Sequence, residues 1–88
     1  MKIHKYPIPS SDEFILIIPE QSTIMHVGLH QLEMFLWAMV DTEAPPEERT
    51  FRLVGTGHTV PDDKNLDYIG TITNHEGVYV WHIFEVVP

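Results

Sequence analysis

The sequence predicts a mainly β protein, a compact antiparallel sandwich or barrel-like sheet of about six to seven short strands with little helix. Three observations carry this. Short runs of β-branched and aromatic residues recur along the chain, punctuated by Pro, Gly, Asn and Asp. Apolar and polar residues alternate cleanly from Thr23 to Leu29, as a half-buried strand requires. The 88 residues contain no internal repeat or low-complexity tract, which leaves one domain over residues 1–88.

Taken in order, Lys2 to Tyr6 forms a first run, closed by Pro7 and Pro9. Phe14 to Ile18 forms a second, closed by Pro19. Ser10 and Glu13 before it imitate a helix capping box, but the run that follows is too short and too β-branched for a helix. In the third run Met25, Val27 and Leu29 fall on one face, with His26, Gly28 and His30 on the other. Gln31 to Val40 is ambiguous. Leu32, Phe35, Leu36, Met39 and Val40 fit helical spacing, whereas Met34 to Val40 also reads as a strand apolar on both faces. A strand of that kind must be covered on both sides. In the acidic connector Glu43 to Arg49, Pro45 or Pro46 could open a single helical turn through Arg49. Phe51 and Leu53 alternate with Arg52 and Val54, and Thr59 to Asn65 is a polar loop. Tyr68 to Ile72 and Val78 to Val86 flank Asn74-His75-Glu76-Gly77, which predicts a hairpin with Gly77 at a left-handed position.

Composition excludes several function classes. Thirteen acidic residues against five basic ones give a formal charge of −8, a surface that repels DNA and RNA polymers. A local pocket for a small anion survives that argument, because exposed charges beyond roughly 8 Å are largely screened. The chain has no cysteine, which removes disulfides, thiolate metal sites and cysteine catalysis. No stretch of 18 apolar residues and no signal-peptide core are present, so the expectation is a cytoplasmic protein with no membrane partner. A domain this small is marginal alone, and self-association is one remedy. On the last run Tyr79, Trp81 and Ile83 share one face while Val80, His82, Phe84 and Val86 share the other. Both faces are apolar, which points to a homo-oligomer, a dimer or tetramer.

The candidate ligand-binding residues are Trp37, Arg52, Gly55, Thr56, Gly57 and His58. Successive N–H groups in a Gly-rich turn can cradle a phosphate, and Thr56 and His58 would add side-chain donors. Gly55-Thr56-Gly57-His58 is neither a Walker loop nor a dinucleotide fingerprint, and its two glycines could equally end a strand at a bend. Arg52 points away from the core face of its strand, and a planar guanidinium suits a phosphate; a salt bridge to one of the acids is the plain alternative. Lys64, beside Asp62 and Asp63, is expected to be neutralised locally. Trp37, Trp81, Tyr68 and Tyr79 could stack on bases, though packing is their commoner fate. His82, between Val80 and Phe84, reads as a hydrogen-bonded core histidine rather than a ligand or base. No metal site is expected, since His26 and His30 stand about 13 Å apart along a strand. No catalytic residue and no cofactor are assigned; the protein is read as a non-enzyme.

Leu36-Trp37-Ala38-Met39-Val40-Asp41, Phe51-Arg52, Gly55-Thr56-Gly57-His58, Tyr68-Ile69-Gly70-Thr71 and Trp81-His82-Ile83-Phe84-Glu85 follow a Met-Lys-Ile-His-Lys-Tyr start. In that order they resemble, across essentially the whole chain, a family of small phage and prophage proteins known as a domain of unknown function. Where those sequences place an Asn-Gly type turn before the Trp strand, this chain has His30-Gln31-Leu32-Glu33. The resemblance implies a strand through Trp37 and leaves the turn open. The chain is also similar, more distantly, to phage proteins that sequester the cyclic oligonucleotide signals of bacterial CBASS immunity. That resemblance implies a homo-oligomeric cyclic-nucleotide sponge serving immune evasion in the host cytoplasm. The other expectation is a phage accessory or structural protein that binds a protein partner through apolar strand faces.

Overall fold

The computed structural model describes residues 1–74 and 77–88, and among them it contains seven strands and no helix. They are β1 (Lys2–Pro7), β2 (Glu13–Pro19), β3 (Thr23–His30), β4 (Glu33–Val40), β5 (Pro46–Gly55), β6 (Asn65–Thr73) and β7 (Val80–Val87). One sheet has the order β1-β4-β3 and the other β2-β5-β7-β6, with every pairing antiparallel. The Cα envelope is 40 × 34 × 16 Å, the short axis being what two sheets about 10 Å apart occupy. The predicted all-β sandwich is the observed architecture.

The core follows from strand alternation. Leu36, Ala38 and Val40 of β4 face Phe51, Leu53 and Ile83 of β5 and β7, all but Leu53 fully buried. Phe14 stacks on Phe51 at 5.3 Å, which carries the layer to the β2 edge. At the opposite edge β3 meets β6 without pairing, and the approach is tight. A Cβ on Gly70 would lie 2.7 Å from a Val27 methyl, so only glycine fits there. The sandwich is therefore nearly closed along β3 and β6, which gives it part of a barrel's character.

Two local expectations are corrected and one ambiguity is resolved. Pro46–Arg49 opens β5 rather than a helical turn, because Ile17 and Leu16 of β2 pair with Glu48 and Arg49. The ambiguous Gln31–Val40 segment contains strand β4, which lies between β1 and β3 and so finds ladder partners on both sides. Met25 does not share the core face with Val27 and Leu29. A register shift between Ile24 and His26 puts Ile24 inward and leaves Met25 exposed. Of the hairpin turn over Asn74–Gly77, His75 and Glu76 lie outside the described residues. Gly77 has φ 70°, and Asn74 Oδ1 accepts from the N–H groups of Val78 and Tyr79.

The β3–β4 hairpin closes through Gln31 (φ 51°) and Leu32 (φ 70°), both left-handed. Positive φ at both central residues is the type I′ pattern, whose twist matches the flanking strands. The geometry expected of an Asn-Gly turn is thus made by a Gln-Leu pair, at a steric cost.

Candidate functional site

β5 has two faces with different duties. Arg49, Phe51, Leu53 and Gly55 point inward, while Thr50, Arg52, Val54 and Thr56 point outward. On the inward side Arg49 grips Glu85 of β7 in a bidentate pair, Nε to Oε2 at 2.6 Å and Nη2 to Oε1 at 2.7 Å. Its Nη1 donates to the carbonyl of buried Ser22, tying the β2–β3 turn to the four-stranded sheet. The hydrogen bond to Glu85 raises the Arg49 pKa above the ordinary value, against the opposing pull of burial. Burial likewise raises the phenol of Tyr6, which packs against the core from β1.

On the outward side Arg52 has no such partner. It lies across from Glu13 of β2 and Phe84 of β7. Glu13 instead meets Lys64 at 3.2 Å, so Lys64 is not neutralised by its neighbours Asp62 and Asp63. Among the described residues Arg52 makes no salt bridge, and its Nε is buried without a hydrogen bond. A guanidinium whose facing carboxylate is engaged by another cation is a ready anion contact.

Beside it runs a chain of hydrogen bonds across three strands. Tyr68 Oη lies 2.6 Å from Thr71 Oγ1, which is 3.0 Å from His82 Nδ1; His82 Nε2 is 2.8 Å from Thr56 Oγ1. The ladder explains this row. His82 is paired across from Val54 on β5 and from Thr71 on β6, and alternation points His82, Thr71 and Thr56 to the same side. Tyr68 packs edge-on against Phe84 at 5.6 Å, and Phe84 adjoins Arg52. The row supplies hydroxyls and one imidazole next to one cation, a set suited to holding oxygen atoms of an anion.

The Gly55–His58 turn divides between this face and the end of the sandwich. Its Thr56 N–H is bonded to the Val80 carbonyl and its His58 N–H to that of Gly55, and Gly57 has φ 89°. Two of the four N–H groups of the backbone cradle expected for a phosphate are thus already engaged. The His58 ring lies over Gly55, where a Cβ would come within 3.0 Å of it and 3.4 Å of Trp81. Trp81 stacks with Tyr79 at 6.2 Å and 20°. Gly55, Thr56, His58, Tyr79 and Trp81 border a concavity of about 380 Å³. Trp81 also lines a concavity of about 660 Å³ with Pro9, Leu32 and Met34, and a smaller one of about 200 Å³ with Ser10 and Asp12. The open end of the sandwich is organised around this one indole.

Residues 1–88 match the family described as Domain of unknown function (DUF7352). The chain belongs to the DUF7352 family. No curated protein and no solved structure matches this DUF7352 chain. In its fold Arg52 and Thr56 share the outward side of β5, four residues apart, and the Gly55–His58 turn ends that strand, whereas Trp37 does not join them. Trp37 sits between buried Leu36 and Ala38 and points outward from the other sheet. Trp37 and Arg52 therefore occupy opposite outer faces and cannot touch one small ligand within one chain. The aromatic that does adjoin the turn is Trp81. The register Gly55↔Trp81 puts it there, and that pairing is not readable from local pattern.

Proposed function

We propose that this DUF7352 protein is a non-enzymatic binding protein for a small nucleotide-type anion. The ligand lies along the outer face of β5 from Arg52 to Thr56 and reaches the Tyr79–Trp81 stack at the sandwich end. The carrying observation is the unpaired Arg52 beside the Tyr68–Thr71–His82–Thr56 row. Four residues of strand span about 13 Å, enough for an anion with more than one phosphate. Hydroxyls on both nitrogens of His82 leave no carboxylate to orient the ring, which favours binding over triad-like catalysis.

The finer reading is a homo-oligomeric sponge for cyclic oligonucleotides of anti-phage defence, supported by the motif resemblance to phage proteins. Trp37 would then reach a ligand only from a neighbouring copy. Calorimetry against cyclic di- and trinucleotides tests this reading, with native mass spectrometry for subunit number. Binding of one member, weakened about tenfold or more by Arg52→Ala, is the expected outcome. Absence of heat across the set would sink the proposal.

A second reading, an accessory protein that binds a protein partner, is favoured by Ile15 and Ile17. They are 55% and 65% exposed on β2, an edge strand. It requires that Ile17→Lys abolish a pull-down interaction that Arg52→Ala leaves intact.

A further inference from the structure

The outer face of the β1-β4-β3 sheet differs from the rest of the molecule in charge and in ring content. By the ladder registers its outer side carries Lys5, His26 and His30 with one carboxylate, Glu33, paired across from His30, while Lys2 and His4 alternate to the other side; none of the other twelve acidic residues lies in these three strands. An acidic protein thus keeps one sheet nearly free of carboxylates. On that sheet's outer side four rings adjoin in a row. His26 lies 5.7 Å from Trp37, Trp37 lies 6.1 Å from Phe35, and Phe35 lies 6.0 Å from His30. Lys5 crosses this row from β1, with Nζ 4.4 Å from the Phe35 ring centre and 2.9 Å from His30 Nδ1, to which it donates. Among the described residues Lys5 makes no salt bridge, so its charge is positioned by a ring face and an imidazole nitrogen rather than by a carboxylate.

We infer that this face is a second binding surface, for an anion that carries a stackable ring: a phosphate attached to an unpaired nucleobase. Trp37 supplies the platform for the base, and Lys5 supplies the charge for the phosphate. A second copy of the chain is a poorer occupant. The face spans roughly 400 Å², given strands about 4.8 Å apart and about 3.3 Å of rise per residue, half of the ~800 Å² per partner typical of a stable dimer. The net charge of −8 works against long polyanions, so the ligand is short, either a free nucleotide or a few nucleotides of single strand. This surface lies opposite the Arg52 face, and either can fail without the other.

Quenching of Trp37 fluorescence at low salt, read in a Trp81→Phe background, tests the assignment with two probes: adenosine monophosphate and a single-stranded hexathymidylate. Saturable quenching by either probe is expected, and the probe that binds more tightly identifies the source. In the parent protein, anisotropy of labelled hexathymidylate or calorimetry with the mononucleotide should show Kd rising about tenfold for Lys5→Ala and for Trp37→Ala, the stacking of one base being worth about 1–3 kcal/mol. Trp37→Phe should recover part of the loss. Lys64→Ala, which removes one positive charge elsewhere, should stay within about twofold. Circular dichroism establishes that each variant is folded. The inference is overturned if neither probe quenches Trp37, or if Lys5→Ala and Lys64→Ala weaken binding equally.

Discussion

Arg49 and Arg52 stand three residues apart on one strand and do opposite things. Arg49 points inward, and every hydrogen-bonding group named for it is matched, by Glu85 and the Ser22 carbonyl. Arg52 points outward past a glutamate already drawn to Lys64, and its buried Nε has no partner among the described residues. The odd spacing puts them on different faces, and the face decides the role. The difference teaches that in this chain a cation's availability depends less on how many acids surround it than on which acids are already engaged. One arginine is part of the scaffold, and the other makes no ion pair among the described residues.

The largest way to break the contrast is to remove the face it depends on. Phe51 is fully buried, stacks on Phe14 and sits between the two arginines on the inward side. Phe51→Ala should cost about 3–5 kcal/mol, read as a fall in the urea midpoint. In a domain this small that approaches the whole stability. Arg49→Ala comes next. It leaves the Glu85 carboxylate, whose side chain is 15% exposed, across from Asp67 with no cation. A loss of about 2 kcal/mol is expected, below the value for a fully buried pair because water still reaches it. Arg49→Lys should recover only part, since an ammonium cannot make the bidentate contact.

How far the sequence carried this contrast can be seen residue by residue. That Arg52 faces outward was legible from Phe51 and Leu53 on either side of it. That it is unpaired was not, because this depends on Lys64 reaching Glu13 from 51 positions away. That Trp81 shares a strand face with Tyr79 and Ile83 was legible, but not which face points inward, since both read as apolar. Its place at the sandwich end comes from its pairing with Gly55, a long-range fact with no local signature. The Gln31–Val40 segment was ambiguous for the same reason. Its apolar residues satisfy two periods, and the ladders to β1 and β3 chose between them. Strand content was legible because β-branched runs and prolines act locally.

A smaller and opposite effect is expected at the β3–β4 turn, in the sheet that lacks Arg49's kind of tie. Gln31 and Leu32 hold left-handed φ, a cost of about 1–2 kcal/mol per residue for side chains other than Gly and Asn. Leu32 is 67% exposed, so its removal forfeits little burial. Gln31→Asn with Leu32→Gly should stabilise the protein by about 1 kcal/mol net, after the added backbone entropy of glycine is subtracted. The melting temperature would rise by about 4–8 °C. A lower melting temperature would mean that Leu32 contributes more to the end concavity than its exposure implies.

The smallest expected change in stability is at Arg52 itself, and it sharpens the comparison most. Arg52→Ala removes a guanidinium that makes no ion pair among the described residues, and it relieves a buried Nε of its missing partner. Its stem lies on the sheet face beside its ladder partner Phe84, and truncating it removes that apolar cover. The two effects oppose, and stability should move by no more than about 0.5 kcal/mol. A structural arginine behaves otherwise, as Arg49→Ala would show in the same denaturation series. Should Arg52→Ala cost as much as Arg49→Ala, then Arg52 is a second scaffold residue and the outer face of β5 loses its claim to a ligand. If instead stability holds while anion binding falls, the face of β5 that each arginine occupies separates structure from function.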